Sequence, residues 1–240
     1  MTKKLLLATA ILGANLLYAE HWGYTGAGAP ENWAEIDKKS FMCAKGSNQS
    51  PINLTGFTES ELPAIGFNYK LSSSEILNNG HTVQVNIKEG SNINVDGIDF
   101  DLKQFHFHTP SENNINGTSY PLEAHFVHAS KKGELAVVAV MFKEGVENKA
   151  LAELWAKMPK NAGDTHTIDA QALNALLPKD KDYYRFNGSL TTPPCTEGVR
   201  WLVMKKPLSI SKSQIASFAT AVHGHNNRPV QATNARTILQ

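Results

Sequence analysis

Two short stretches of alternation constrain this chain more than anything else in it. Gln104-Phe105-His106-Phe107-His108 sets polar and aromatic residues at alternate positions, and Glu123-Ala124-His125-Phe126-Val127 answers it. A period of two belongs to the β-strand, where successive side chains point to opposite faces. Gln104, His106 and His108 then share one face, with Phe105 and Phe107 on the other. Glu123, His125 and Val127 share a face of the second strand. Laid side by side, the two strands bring three imidazoles to one point. Three neutral histidines with one open position make a catalytic type of zinc site, whereas structural zinc sites are closed by four protein ligands, often Cys.

Around this pair the chain reads as more short β-type runs, at 65–69, 83–87, 92–95 and 135–142, with 102–108 and 122–129 containing the two stretches above. Asn78-Asn79-Gly80, Glu89-Gly90, Asp96-Gly97, Asn116-Gly117 and Lys132-Gly133 punctuate them as turns. Connections this short favour an antiparallel meander over helical crossovers. Helical spacing appears later: Leu151, Leu154, Trp155 and Met158 up to Pro159, a second short helix over 169–177 before Pro178, and a third opening on a capping box of Ser211 and Gln214. Strand-like runs at 183–186 and 199–204 lie between the last two. From 21 to 48 the chain is rich in aromatics, Gly and Pro without a sustained period. It reads as irregular structure packed on a surface, with a short helix near 32–37. There is no repeat, linker or low-complexity segment, so one β-dominated domain is the simplest account.

The N-terminus stands apart. Lys3 and Lys4 precede an apolar run over 5–17, and Leu17-Tyr18-Ala19 offers a cleavage site. Residues 1–19 read as a secretory signal, too short for a comfortable membrane span; the alternative is an uncleaved anchor helix. The mature domain would span 20–240. Without Lys3 and Lys4 the chain carries 21 basic and 22 acidic residues. Such a balance gives no basic patch for nucleic acid and no polybasic surface for a membrane. The only cysteines are Cys43 and Cys195. In an exported protein an even count invites a disulfide; the alternative is two buried free thiols.

Two other histidine groups compete with the alternating strands. His223-Gly224-His225 repeats the His-x-His spacing in a Gly/Asn-rich stretch with no partner strand, and reads as an exposed loop. His128 falls on the opposite face from His125 and reads as buried and hydrogen-bonded.

Gln104 to His108, Ser111-Glu112, Glu123 to His128 and Ser189-Leu190-Thr191-Thr192-Pro193-Pro194-Cys195 together resemble the α-class carbonic anhydrases. So do His21-Trp22-Gly23-Tyr24, Gln49-Ser50-Pro51-Ile52, Asn78-Asn79-Gly80-His81 and Asn227-Arg228-Pro229, in order over essentially the whole mature chain. The leader and the cysteine pair suggest the secreted bacterial branch. The resemblance implies a mainly β (α+β) single domain: a central twisted, mostly antiparallel β-sheet with short peripheral helices. It implies reversible hydration of CO2 to bicarbonate, with a weak esterase side activity. His106, His108 and His125 would hold one Zn2+, with water or hydroxide as fourth ligand. Gln104 and Glu123 would hold the ring nitrogens that face away from the metal. Thr191 would orient the hydroxide and pass a hydrogen bond to Glu112. Val127, Val137, Leu190, Val199 and Trp201 would form the apolar wall for CO2, with Thr192 beside them contacting bicarbonate.

His81 would be the proton shuttle, with Tyr24, Asn79 and Gln84 ordering water. A relay is needed because a group of pKa near 7 releases its proton to water at only about 10³ s⁻¹ if recapture runs at about 10¹⁰ M⁻¹s⁻¹. The resemblance also suggests cis peptide bonds at Ser50–Pro51 and Pro193–Pro194. Two readings complete the set: small-molecule partners only, with an oligomeric state that the chain leaves open to a dimer, and a periplasmic or extracellular location. One departure stands out. Where this family usually carries a histidine after Ser-Glu, this chain has Asn113, which should alter the local hydrogen bonds and the stability without touching a zinc ligand.

Overall fold

The alternating stretch at 104–108 is the end of a strand of eleven residues, and the sheet is built outward from it. The computed structural model describes residues 21–70 and 72–240. The signal sequence read at 1–19 lies outside the described residues. In chain order the strands are β1 (Asn53–Leu54), β2 (Gly66–Asn68), β3 (Ser73–Asn78), β4 (Val83–Asn86), β5 (Asn92–Val95), β6 (Ile98–His108), β7 (Asn114–Ile115), β8 (Leu122–Ser130), β9 (Leu135–Glu144), β10 (Thr165–Asp169), β11 (Tyr183–Ser189), β12 (Glu197–Met204) and β13 (Leu208–Ile210). Eleven of these form one sheet, ordered β10-β3-β4-β6-β8-β9-β12-β11 along its main path, with β5, β2 and β13 attached beside it. Only β12 and β13 run parallel to their neighbour β9; the other pairings in this sheet are antiparallel. The mostly antiparallel, mainly β expectation is met.

Strand β6 is long enough to pair with two strands along one edge: β5 against its first half and β4 against its second. Its other edge pairs with β8, where the register slips between Leu102 and Gln104 and leaves Lys103 without a partner. That bulge inverts the parity of the strand, because two residues of β6 oppose one of β8. Phe100 and Leu102 before it, and Phe105 and Phe107 after it, therefore reach the same core. The alternation at 104–108 holds because it lies wholly beyond the bulge.

The sheet separates two apolar clusters. One contains Phe105, Phe107, Phe126, Val138, Val140 and Phe142, covered by α3 (Lys149–Trp155) and α4 (Lys212–Ala221), which follow the short α1 (Trp33–Ile36) and α2 (Met42–Lys45). The other contains Val137, Ala139, Met141, Phe186, Val199, Trp201 and Val203. Strand β9 feeds both clusters by alternate residues, which is why its sequence is almost unbroken apolar. Each fully buried phenylalanine contributes about 2–3 kcal/mol of burial. The capping box of Ser211 and Gln214 opens α4 as expected. Gln214 also exchanges hydrogen bonds with the backbone of Asn148, which caps α3, so the two helices are fixed to each other through their caps.

One reading is corrected. The helix expected over 169–177 is the end of strand β10 followed by a 3-10 turn, Gln171–Leu176. Thr165, Thr167 and Ile168 are β-branched and add a strand beyond β3 that takes in Asp169, the expected start of the helix. Strand β3 itself was not apparent, since Ser73-Ser74-Glu75 lacks an apolar period. The Cys43–Cys195 disulfide is formed, and Ser50–Pro51, Thr109–Pro110 and Pro193–Pro194 are cis.

Candidate metal centre

His106 and His125 sit directly opposite each other in the β6–β8 register, and His108 is two residues further along β6. One nitrogen from each ring falls within a cluster no wider than 4.8 Å. The ring centroids are 4.6–5.4 Å apart. Each outward nitrogen has an oxygen beside it, and two of the three are hydrogen-bonded. Gln104 Oε1 lies 2.8 Å from His106 Nδ1, and the carbonyl of Asn226 lies 2.7 Å from His108 Nδ1. Glu123 Oε1 lies 3.0 Å from His125 Nε2, a close contact that is out of line for a full hydrogen bond. The inward atoms are then His106 Nε2, His108 Nε2 and His125 Nδ1.

Burial pushes all three imidazoles below their ordinary pKa, His106 and His125 far below, with their histidine neighbours adding to the effect on both. Three neutral rings with lone pairs aimed at one spot suit a divalent cation. His108 Nε2 is buried without any hydrogen-bond partner, as is Glu112 Oε2, 3.5 Å away. Buried polar atoms are rarely left unpaired, and a metal ion satisfies the ring nitrogen. The donor set fits Zn2+, three neutral imidazoles being a common protein set for a catalytic ion.

Around the histidines, Glu112 is held by the Arg228 N–H at 2.9 Å on Oε1. Burial drives its carboxyl well above the usual range; the Arg228 N–H and the Thr191 side chain oppose this. Thr191 therefore lies against Glu112, though short of full hydrogen-bond geometry. Val137, Val199 and Trp201 are buried in the second apolar cluster, with Val127 and Leu190 half-buried against it. Trp201 meets the edge of His125 at 4.9 Å. Thr192 is half-buried beside Thr191.

His81 is half-buried and its ring stacks on Trp22, with centroids 3.6 Å apart and planes 8° from parallel. Burial and nearby His21 lower its pKa. Asn79 Oδ1 accepts from the His81 N–H, and Asn79 Nδ2 reaches Gln84 Oε1. Gln84 pairs with His106 across β4 and β6. Tyr24 packs edge-on to Trp22 and Trp33, and its hydroxyl is raised well above its ordinary pKa by burial and then by Glu112. The competing histidines go elsewhere. His223 and His225 are exposed after α4. His128 is buried on the far face, between the Tyr69 hydroxyl at 2.8 Å and the Ala136 carbonyl at 3.3 Å.

Asn226 escaped the reading of the sequence, and for Arg228 and Asn113 the structure supplies the partners that the sequence did not. Asn226 accepts from His108 through its carbonyl, and donates from Nδ2 to the carbonyls of His81 and Phe107. Arg228 holds Glu112, and its buried guanidinium donates to Gln49, Ser50 and Cys43. Asn113 holds Glu123. Asn226 follows a His-Gly-His stretch in a loop with no period, so nothing local marks it.

A β-sheet with a three-histidine centre on one face defines a class, and comparison with known proteins agrees. Residues 28–240 match the family model for eukaryotic-type carbonic anhydrase. A carbonic anhydrase of Klebsiella pneumoniae is 46% identical, covering 99% of this chain and 98% of its own length. One of Neisseria gonorrhoeae is 48% identical, covering 100% and 96%. The solved structure of a hyperthermostable carbonic anhydrase from a hydrothermal vent chimney superimposes with a TM-score of 0.87 at 51% identity, covering 91% of this chain and 99% of that one. The chain belongs to the α-class, eukaryotic-type carbonic anhydrase family.

Proposed function

We propose that His106, His108 and His125 hold one Zn2+ and that the surrounding residues divide the labour of CO2 hydration as follows. The protein is a carbonic anhydrase, catalysing the reversible conversion of CO2 and water to bicarbonate and a proton. The observation that carries the assignment is the set of three imidazoles, two buried and one half-buried, each with one nitrogen close to a fixed acceptor and the other in a common cluster. A bound zinc ion supplies a nucleophile at neutral pH by lowering the pKa of water from 15.7 to ≈ 7, an effect for which carbonic anhydrase is itself the reference case.

This chain's residues do the rest. Glu112 takes the Arg228 N–H on one oxygen and faces Thr191 with the carboxyl. A Thr191 hydroxyl that turns its hydrogen to Glu112 can only accept on its other side, which would orient the attacking oxygen toward carbon. CO2 carries no charge, so Val127 and Leu190, over Val137, Val199 and Trp201, offer it an apolar wall. Thr192 contacts bicarbonate. His81 relays the proton outward along water ordered by Tyr24, Asn79 and Gln84, the usual task of an imidazole. The same nucleophile gives a weak esterase activity.

Residues 1–19 are a secretory signal, and the mature 20–240 domain works in the periplasm or outside the cell. Support comes from the basic and apolar leader and from the closed disulfide, which persists in oxidising compartments. No helix among the described residues is long and apolar enough to cross a membrane.

Stopped-flow CO2 hydration on the purified mature domain tests the assignment, as isolated, after chelation, and after return of Zn2+. Activity should vanish with the metal and return with it. A folded, zinc-loaded protein without hydration activity sinks the reading.

A further inference from the structure

Asn113 has no part in the chemistry above, yet every polar group it owns is committed. It is fully buried. Its N–H donates to Glu123 Oε2 at 2.9 Å and its Nδ2 donates to Glu123 Oε1 at 2.8 Å. Its Oδ1 accepts from the Ile52 N–H at 3.1 Å, and its carbonyl accepts from Ser111 Oγ at 2.8 Å. The Glu112 N–H adds a further bond to Glu123 Oε2 at 2.7 Å. The Glu123 carboxylate is thus gripped by three donors, and the oxygen that receives the Asn113 amide is the one lying 3.0 Å from His125 Nε2.

We propose that Asn113 is a positioning residue for the metal centre: its side-chain amide orients Glu123 and thereby sets the tautomer of His125. An amide NH2 has only hydrogens to offer. Facing it, Glu123 Oε1 is an acceptor with a fixed direction. That oxygen favours a hydrogen on the ring nitrogen 3.0 Å away, which leaves the lone pair on His125 Nδ1, the atom aimed at the cluster. Glu123, the group Asn113 holds, is a partner in direct contact with a ligand, and such partners are worth about 10–100-fold in metal affinity. The proposal rests on the reading of the triad as metal ligands.

Asn113→Asp is the discriminating change. It keeps the shape, the backbone bonds and an Oδ1 for the Ile52 N–H, and it replaces a single donor by an acceptor. The new oxygen meets Glu123 Oε1 acceptor to acceptor, and the carboxylate loses its hold on the His125 ring. Two readouts follow. Long-range ¹⁵N–¹H NMR of the metal-free protein reports the His125 tautomer, and competition against a chromogenic chelator reports Zn2+ affinity. The wild type should show only the Nε2–H form. N113D, folded by near-UV circular dichroism, should show a mixture of tautomers and a Zn2+ dissociation constant raised at least tenfold. A folded N113D with an unchanged tautomer and an affinity within twofold of wild type overturns the proposal, even if its melting temperature falls. Should N113D not fold, Asn113→Ser is judged by the same two readouts and limits. His125→Ala separates the two layers. If it binds Zn2+ as tightly as wild type, the ligand reading fails, while the tautomer of the metal-free protein still decides the role of Asn113.

Discussion

Acidification should weaken this fold through His128, a residue remote from the chemistry. The ring is fully buried and neutral, held between the Tyr69 hydroxyl and the Ala136 carbonyl. Burial lowers its pKa to about 3 from the ordinary 6.5, with the carbonyls of Ala136 and Phe126 opposing. The unfolded chain therefore binds a proton between those two values that the folded chain refuses. Stability rises with pH wherever the unfolded state binds more protons. The effect is nil above pH 6.5, costs about 1.4 kcal/mol for each pH unit below it, and levels off near pH 3 at a total of about 5 kcal/mol. Between pH 6.5 and 4.5 it amounts to about 3 kcal/mol. The test compares wild type with His128→Leu by guanidinium unfolding at several pH values, followed by tryptophan fluorescence with the disulfide intact. The variant loses the Tyr69 bond and starts less stable at pH 7, by about 1–3 kcal/mol for the orphaned hydroxyl. That gap should close on acidification, and reverse if the His128 penalty is as large as stated. Zinc loss at low pH is common to both proteins and cancels in the difference. Two curves that stay parallel from pH 7 to 4.5 would refute the argument.

Two further outcomes follow from the site. Replacing His81 by alanine should lower kcat while sparing kcat/KM, and imidazole buffer should restore the rate; an unchanged kcat in dilute buffer removes His81 from proton transfer. Cys43→Ser opens a bridge spanning 152 residues and should cost about 2–5 kcal/mol by denaturant unfolding, so a loss under 1 kcal/mol would show that the bridge does not stabilise the fold.

The contrast between what was legible and what was not follows sequence distance. The aromatic and histidine alternation at 104–108 marked a strand and its faces because side-chain direction in a strand is set by the residue's own position. The bulge at Lys103 was invisible for the converse reason. It exists only as a slip against β8, and it would have misled any parity argument carried back to Phe100. Capping at Ser211 was legible because donor and acceptor lie three residues apart. The helix expected over 169–177 failed because pairing with β3, about ninety residues earlier, outweighed a short local pattern.

By itself the sequence determined which residues could bind a metal and which face of each strand they occupy, since periodicity is local. The order of motifs along the chain also placed it in its family. Only the tertiary structure decided what fixes those ligands: Asn226 on His108 from 118 residues away, Arg228 on Glu112 from 116 away, and Asn113 on Glu123 across a turn. These partners are ordinary polar residues in aperiodic loops. Their roles come from hydrogen-bond geometry imposed by the packed sheet, and no local pattern encodes a bond between segments that meet only when the chain has folded.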